Sequence, residues 1–436
     1  MKRMYLWTVA LLGGMALVSC SSTEEVDDLG ETKSVVDMLS EPQYIEMTDQ
    51  QRMFVLDNNQ FTLNFLKTAN DVDKSGKSFI YSPLSITYVL GMTNDAAVGE
   101  TEKELEQRLG FNEGGIQAVN DFCKKLIDGL PKVDDKVQLN IANAIFLNKD
   151  YQLKQQFEQD MQEYYDAKAE ALDFSSPETL SYINDWCSKK TNGMIPTILD
   201  EVNPNVVSYL LNAIYFKADW ASKFDEKNTK TETFTTENGT TQLPLMHQKV
   251  LISYLKNATC SAVIIPYGSG LWNMTVLLPE AGKTTDDVIN MAVNSTLLNN
   301  QGWCGNPGDT FHPCEVDLKL PRFKTASDTD NLGEGGLISL LRRMGIRQVF
   351  DSISAQIPNM TDLPVYIKMM RQKAAIEVNE EGSEAAAVTA AASFTESSIH
   401  QEYPKASFHA NRPFVYAIRE ASSGAILFVG KFTGLE

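Results

Sequence analysis

The chain has 436 residues, 43% of them hydrophobic and 9% aromatic, which is ample for a core and excludes global disorder. Its 57 acidic residues outnumber its 38 basic ones, a formal net charge of -19. So acidic a surface repels phosphate backbones and argues against nucleic acid as a partner, and no basic cluster of the heparin-binding kind is present.

The predicted elements begin with a targeting segment. Lys2 and Arg3 precede an apolar run from Met4 to Val18. That run is too short to span a bilayer comfortably and fits a signal-peptide core. It ends in Leu17-Val18-Ser19-Cys20, which resembles a bacterial lipobox. On that reading residues 1–19 are a lipoprotein signal peptide, and a lipid on Cys20 anchors the mature chain to a membrane. The alternative is an ordinary secretory signal with an incidental cysteine. The following "SSTEEVDDLGE" is small, acidic and aperiodic, so residues 20–46 read as a disordered tether. An acidic run after a lipobox also resembles surface-export signals of some Gram-negative bacteria. The expected location is the outer membrane or cell surface.

Residues 47–436 read as one domain, because no linker divides them. "TDQQRMFVLDNNQFTLNFLKTAN" is an amphipathic helix, with Thr48 and Gln51 at capping-box spacing and Phe54, Phe61 and Phe65 at helical intervals. "SPLSITYVLGMTNDAA" is a second helix, with Pro83 near its first turn. "TEKELEQRLG" is a third, with Thr101 and Glu104 as a capping box and Gly110 as its stop. Later segments are strand-like: "LNIANAIFL", "VVSYLLNAIYFKADW", "CSAVIIPYG", "LWNMTVLLPE", "VDLKLPRF", "VYIKMMRQKAAIEV", "RPFVYAIRE" and "GAILFVGKF". Helices gather early and strands late, which predicts an α+β fold with a large sheet.

Chemistry-bearing motifs are scarce. Five cysteines remain after Cys20, so a complete disulfide framework is excluded. Cys304 and Cys314 bracket a loop rich in glycine and proline and could bridge in an oxidising compartment. Cys123 and Cys187 lie in helix-like stretches and read as small buried hydrophobes. His247, His312, His400 and His409 have no metal-site spacing. "GSG" at 268–270 reads as a hairpin turn, and "DKSGKS" at 73–78 as a polar loop rather than a phosphate cradle. No catalytic constellation, metal site or cofactor motif is expected.

One stretch remains. Residues 377–394 read "EVNEEGSEAAAVTAAASF". Alanine favours helix, yet no large apolar residue recurs at helical spacing to give a buried face. With "FIYSPLSI", "LNAIYFKADW", "INDWCSKKTNGMIPTIL", "VDLKLPRFK", "LLRRMGIRQVF" and "NRPFVYAIRE" in order, the chain resembles a serpin from about Met47 to its end. The resemblance implies the serpin fold, with three β-sheets, eight or nine helices and an exposed reactive loop, here about residues 380–407. It also implies a monomer that is a suicide inhibitor, not an enzyme. A target serine protease, or a cysteine protease in the wider family, cuts the loop and forms an acyl-enzyme. The cut loop then enters the main sheet as a new strand and the protease is trapped. Strand addition of this kind is a known recognition mode, and the serpin loop is a standard example of it.

The resemblance carries over residue by residue. Glu380, Glu381, Gly382, Ser383, Glu384, Ala385, Ala386, Ala387, Val388 and Thr389 form the hinge. Ser82, Ser85 and Asn212 match the shutter, where the sheet parts, and Trp220 matches the breach, where insertion begins. Read from the residues alone, Ser82 is also a plausible helix N-cap and Trp220 plain core. Glu380 is expected to pair with Arg322. Gln372 replaces the family's shutter histidine; it can donate and accept but not titrate. If Ser383 faces inward, so do Ala385, Ala387, Thr389, Ala391, Ser393 and Thr395, none of them charged, while Glu384 stays in solvent. The usual spacing puts the scissile bond at Glu396–Ser397, with Thr395, Phe394 and Ile399 as alternatives. A serpin fold without inhibition, acting as a surface binding protein, is the competing function. An Ala-rich surface linker is the bland reading of the hinge.

Overall fold

The computed structural model describes residues 42–294, 310–383 and 402–435. The signal segment, Cys20, Cys304, hinge residues Glu384 to Thr389 and the bond at Glu396–Ser397 lie outside the described residues. Residues 41–436 form a single unit.

Among the described residues eight α-helices form: α1 (Asp49–Val72), α2 (Pro83–Ala96), α3 (Gly99–Leu109), α4 (Gly115–Gly129), α5 (Gln155–Tyr165), α6 (Glu178–Lys190), α7 (Thr285–Asn294) and α8 (Gly336–Arg343). Thr48 caps α1 in a full capping box with Gln51. Pro83 opens α2, whose residues are almost all buried, as expected of a helix apolar around its circumference. Gly110 closes α3 in the left-handed conformation at φ 89°.

One sequence expectation about caps needs correction and another is met in position alone. The box of Thr101 and Glu104 does not form, because α3 starts at Gly99 and Thr101 is already inside its first turn. Glu104 instead accepts from the backbone N–H groups of Arg347 and Gln348 at 2.7 and 2.8 Å. Ser82 stands at the N-cap of α2, yet its side chain makes no capping bond. The domain also starts before residue 47. Ile45 and Met47 are buried, and Ile45 packs on Gly129, because an apolar side chain next to a helix end gains more from burial than from solvent.

The strands are β1 (Phe79–Tyr81), β2 (Val137–Asn148), β3 (Lys168–Leu172), β4 (Ser208–Asp219), β5 (Lys230–Thr236), β6 (Gly239–Lys256), β7 (Cys260–Tyr267), β8 (Trp272–Pro279), β9 (His312–Pro321), β10 (Phe323–Asp328), β11 (Met369–Val378), β12 (Gly382–Ser383), β13 (Lys405–His409), β14 (Phe414–Glu420) and β15 (Ile426–Phe432). Among the described residues they make two hydrogen-bonded sheets, where the resemblance implied three. The main sheet runs β10-β11-β12-β4-β2-β3. The second runs β1-β15-β14-β8-β7-β6-β9-β13, with β5 paired to β6. The 18-residue β6 joins what would otherwise be two smaller sheets: its start pairs with β5, its middle with β9 and its end with β7.

The sheets meet face to face. Phe216 of β4 lies 5.5 Å from the ring of Tyr267, 5.4 Å from Trp272 and 6.1 Å from Phe428. On the other face of the main sheet, α6 and residues 191–207 cover Ala142, Ala144 and Phe146 of β2 and Tyr209, Leu211 and Ala213 of β4. With both faces covered, β2 and β4 are near-continuous apolar runs, which made them legible as strands. Cys123 and Cys187 are buried in α4 and α6, as expected. "GSG" makes the turn between β7 and β8, with Gly268 at φ 50° and Gly270 at φ 95°.

Candidate functional site

The candidate site is a seam in the main sheet. β4 and β11 run parallel and pair directly from Tyr209↔Met369 to Ile214↔Ala374. Beyond that point they part, and β12 fills the gap. Gly382 pairs with Asp219 and Ser383 with Ala218, antiparallel to β4, while Ser383 also pairs with Val378 of β11. The hinge is thus already seated between the two strands for two residues. Gly382 fits because it has no side chain: a Cβ there would lie 2.0 Å from the Ala218 carbonyl oxygen.

Where the gap opens, the sequence-predicted residues converge. Trp220 stacks on Tyr267 with ring centroids 4.3 Å apart, and its indole N–H donates to the Asn379 carbonyl at 2.9 Å. Its backbone N–H donates to the Glu381 carbonyl at 2.8 Å. Asn379 closes the turn by accepting from Glu381 N–H and Gly382 N–H at 3.0 and 3.2 Å. Tyr267 and Ser383 share a hydroxyl hydrogen bond of 2.8 Å, so Ser383 faces the core. Glu381 is paired with Lys223, which also reaches Asp219 at 2.9 Å.

Glu380 meets Arg322 as expected, and in fork geometry: Nη2 to Oε1 at 2.5 Å and Nε to Oε2 at 3.1 Å. The Thr229 hydroxyl adds a third donor at 2.6 Å. Burial works against the charge on Glu380, but Arg322 and Thr229 outweigh it and hold the carboxyl below its ordinary 4.5. The folded-state value is therefore lower than the unfolded one. This pairing contributes stability above about pH 4.5 that is lost as pH falls through the folded value. Glu380→Gln is expected to cost about 1.5–3 kcal/mol at pH 7, the worth of hydrogen bonds to a charged group. In denaturant unfolding, the gap between wild type and variant should shrink below pH 4.5. A gap that is constant with pH would mean the pair contributes nothing through its charge.

Lower down the seam lies a buried polar row. Gln372, Asn212 and Asn143 are in register across β11, β4 and β2. Gln372 Nε2 donates to Asn212 Oδ1 at 2.9 Å, and Asn212 Nδ2 donates to Asn143 Oδ1 at 2.9 Å. Gln372 also bonds both backbone groups of Ser82: its Oε1 accepts from Ser82 N–H at 3.0 Å and its Nε2 donates to Ser82 O at 2.9 Å. Ser82 Oγ donates to Leu427 O at 2.7 Å and lies 3.1 Å from Ser85 Oγ. The glutamine therefore donates twice through Nε2 while accepting through Oε1, whereas a neutral imidazole, with a single N–H, could make only one of those donations.

The sequence reading missed Asn143, Thr229, Lys223, Tyr267 and Asn379. Asn143 left a trace, as a polar residue in the middle of the apolar run "LNIANAIFL". The others gave no local signal. The second end of the loop returns as β13, which among the described residues pairs with β9 at the end of the sheet. There His409 and His247 lie 3.0 and 2.6 Å from the two oxygens of Asp317, so the two strands flanking β9 grip its carboxylate.

A family model described as serpin (serine protease inhibitor) matches residues 56–434. Serpin B8 of Homo sapiens is 31% identical over 386 residues, covering 86% of this chain and 98% of its own. The leukocyte elastase inhibitor of Sus scrofa is 29% identical, with the same two coverages. Among solved structures, a thyroxine-binding globulin complex with thyroxine is 26% identical with a TM-score of 0.73, covering 88% of this chain and 99% of its own. The native state of the thermophilic serpin tengpin is 24% identical, with a TM-score of 0.73 and 91% and 98% covered, and it bears on the fold alone. The chain belongs to the serpin family.

Proposed function

We propose that this chain is an inhibitory serpin: it traps serine endopeptidases, with cysteine ones as alternative targets by the same route, as a covalent acyl-enzyme once its reactive loop is cut and inserted between β4 and β11. The observation that carries this reading is the seated hinge, antiparallel to both strands of a seam whose remainder is closed by parallel pairing. Continuing that register one residue at a time sets Ala385 between Phe216 and Ile376, Ala387 between Ile214 and Ala374, and Thr389 between Asn212 and Gln372. Ser383 fixes the phase, so the inward positions are Ala385, Ala387, Thr389, Ala391 and Ser393, all small and neutral. Insertion separates Gln372 from Asn212, and the Thr389 hydroxyl arrives where it can bond both. Glu384 falls on the outer face beside Lys217.

About a dozen new strand hydrogen bonds at roughly 0.5–1.5 kcal/mol each give a gain on the order of 10 kcal/mol. For a domain of this size that corresponds to a rise in Tm on the order of 10 °C. Cutting the loop near Glu396–Ser397 with a catalytic amount of protease is the test. A rise of that size supports insertion; an unchanged or lowered Tm would overturn it. The lipobox and acidic tether support display at the outer membrane or cell surface through Cys20. The second reading is a non-inhibitory serpin-fold binding protein. The likeness to thyroxine-binding globulin favours it, since that protein is in complex with thyroxine on the same fold. The permissive hinge supports inhibition instead.

A further inference from the structure

The chain is strongly acidic, yet four of its ten arginines meet at one place. Arg108 lies in the last turn of α3, Arg342 and Arg343 in the last turn of α8, and Arg347 just beyond it. All four are exposed. The Arg108 side chain lies over Gly345, where a Cβ would stand 2.7 Å from its Nε. Arg342 Nη2 donates to the Phe350 carbonyl at 2.7 Å, and Arg347 Nε to the Arg342 carbonyl at 3.3 Å. No basic run shows in the sequence, because α3 and α8 lie far apart along the chain.

Other arginines of this chain meet carboxylates: Arg52 with Asp49, Arg322 with Glu380 and Arg371 with Asp328. Among the described residues none of the four is in an ion pair, and Arg108 and Arg343 make no side-chain hydrogen bond. The carboxylates beside them are engaged elsewhere. Glu104 accepts from the backbone N–H groups of Arg347 and Gln348, and Asp351 from the N–H and hydroxyl of Ser354. A helix dipole favours a cation in its last turn. That accounts for Arg108, Arg342 and Arg343 singly, but not for the convergence of two such ends, nor for Arg347.

A second observation lies alongside. Thr101, Glu104 and Arg108 form one stripe of α3 against residues 345–356, and the Thr101 hydroxyl donates to the Ser354 carbonyl at 3.4 Å. Thr101 and Arg108 are therefore about 10 Å apart along the helix. At the Thr101 end Ile353 stands 93% exposed. Guanidinium groups bind phosphates in fork geometry, and a protruding aliphatic side chain enters the layer between lipid headgroups.

We propose that Arg108, Arg342, Arg343, Arg347 and Ile353 dock the domain onto an anionic lipid surface. A soluble polyanion would use the arginines but gain nothing from Ile353. The contact needs neither a lipid on Cys20 nor trapping, so those readings stand or fall separately. The test uses the whole chain from residue 20 with Cys20→Ser, so that no acyl chain contributes. It is sedimented with vesicles of phosphatidylglycerol mixed with phosphatidylcholine, and with vesicles of phosphatidylcholine alone. Wild type should sediment with the mixed vesicles only, and added salt should release it. Arg343→Gln breaks no internal bond and should weaken binding about fivefold, the worth of one cation near such a surface. Ile353→Ser should weaken it at least about fivefold by removing buried apolar area. Both variants should keep the wild-type Tm. No binding by wild type, or wild-type affinity in Arg343→Gln, would overturn the proposal. Weakening by Arg343→Gln with full affinity in Ile353→Ser would overturn the lipid surface in favour of a soluble polyanion.

Discussion

Ala387→Arg is expected to turn the protein from a trap into a plain substrate. In the extended register residue 387 enters between Ile214 and Ala374, both fully or almost fully buried in the main core. Among the described residues a guanidinium there has no carboxylate partner, since the inner face of the seam is lined by Leu210, Ile214, Phe216 and Met370 with the neutral Asn212 and Gln372 between them. An unpaired buried ion costs several kcal/mol, a large part of the gain of on the order of 10 kcal/mol that drives insertion. The strand would stall before residue 387, and the acyl-enzyme would hydrolyse. The cut should proceed at its usual rate, because the substitution lies several residues from the bond. The checks are the yield of complex on a denaturing gel and the number of inhibitor molecules consumed per protease. Complex formed by this variant at the wild-type yield would sink the inserted-strand account.

Gly382→Ala is expected to act earlier, on the seated hinge. The added methyl carbon would stand 2.0 Å from Ala218 O and 2.6 Å from Asp219 Cα, both backbone atoms. β4 cannot yield, because it is paired to β2 continuously from Ser208 to Ala218. The hinge must leave the sheet, which breaks the Tyr267–Ser383 and Trp220–Asn379 bonds. Overpacking of this kind costs typically about 1–3 kcal/mol. Because insertion starts at this point, the trapped fraction should fall by roughly fivefold to on the order of a hundredfold, the factors that correspond to about 1–3 kcal/mol. The fluorescence of Trp220 should report the undocking in the uncut protein. An unchanged spectrum with full trapping would show that the seated hinge is irrelevant.

Elements whose pattern is local were readable in the sequence. The capping box of α1, the all-round apolar α2 and the buried runs of β2 and β4 each announce themselves within a dozen residues. β6 did not. "GTTQLPLMHQKVLISYLK" mixes polar and apolar residues without strict alternation, because its three parts pair with three different strands and face different surroundings. The false box at Thr101 shows the same limit from the other side. The spacing is correct, but Ser354, Arg347 and Gln348, some 250 residues away, take the groups that would have closed it.

The site was half legible for a similar reason. Small neutral residues at alternate positions are a property of the hinge itself, and the Glu380–Arg322 pair followed from the resemblance. Tyr267, Asn379 and Asn143 matter only because β7, the turn after β11 and β2 meet Trp220, Gly382 and Asn212 in space. Their roles come from register across strands far apart in sequence, and no window along the chain contains that information. Gln372 lies between the two cases: its departure from histidine was visible, but its double bond to the Ser82 backbone was not.

The most direct measurement mixes the mature protein with elastase-, chymotrypsin-, trypsin- and glutamyl-specific serine proteases. Each mixture is run on a denaturing gel, and the released C-terminal peptide is weighed by mass spectrometry. The account predicts an SDS-resistant complex with at least one protease and a peptide that starts near Ser397. Cleavage by all of them with no complex would contradict trapping and leave a serpin-fold binding protein.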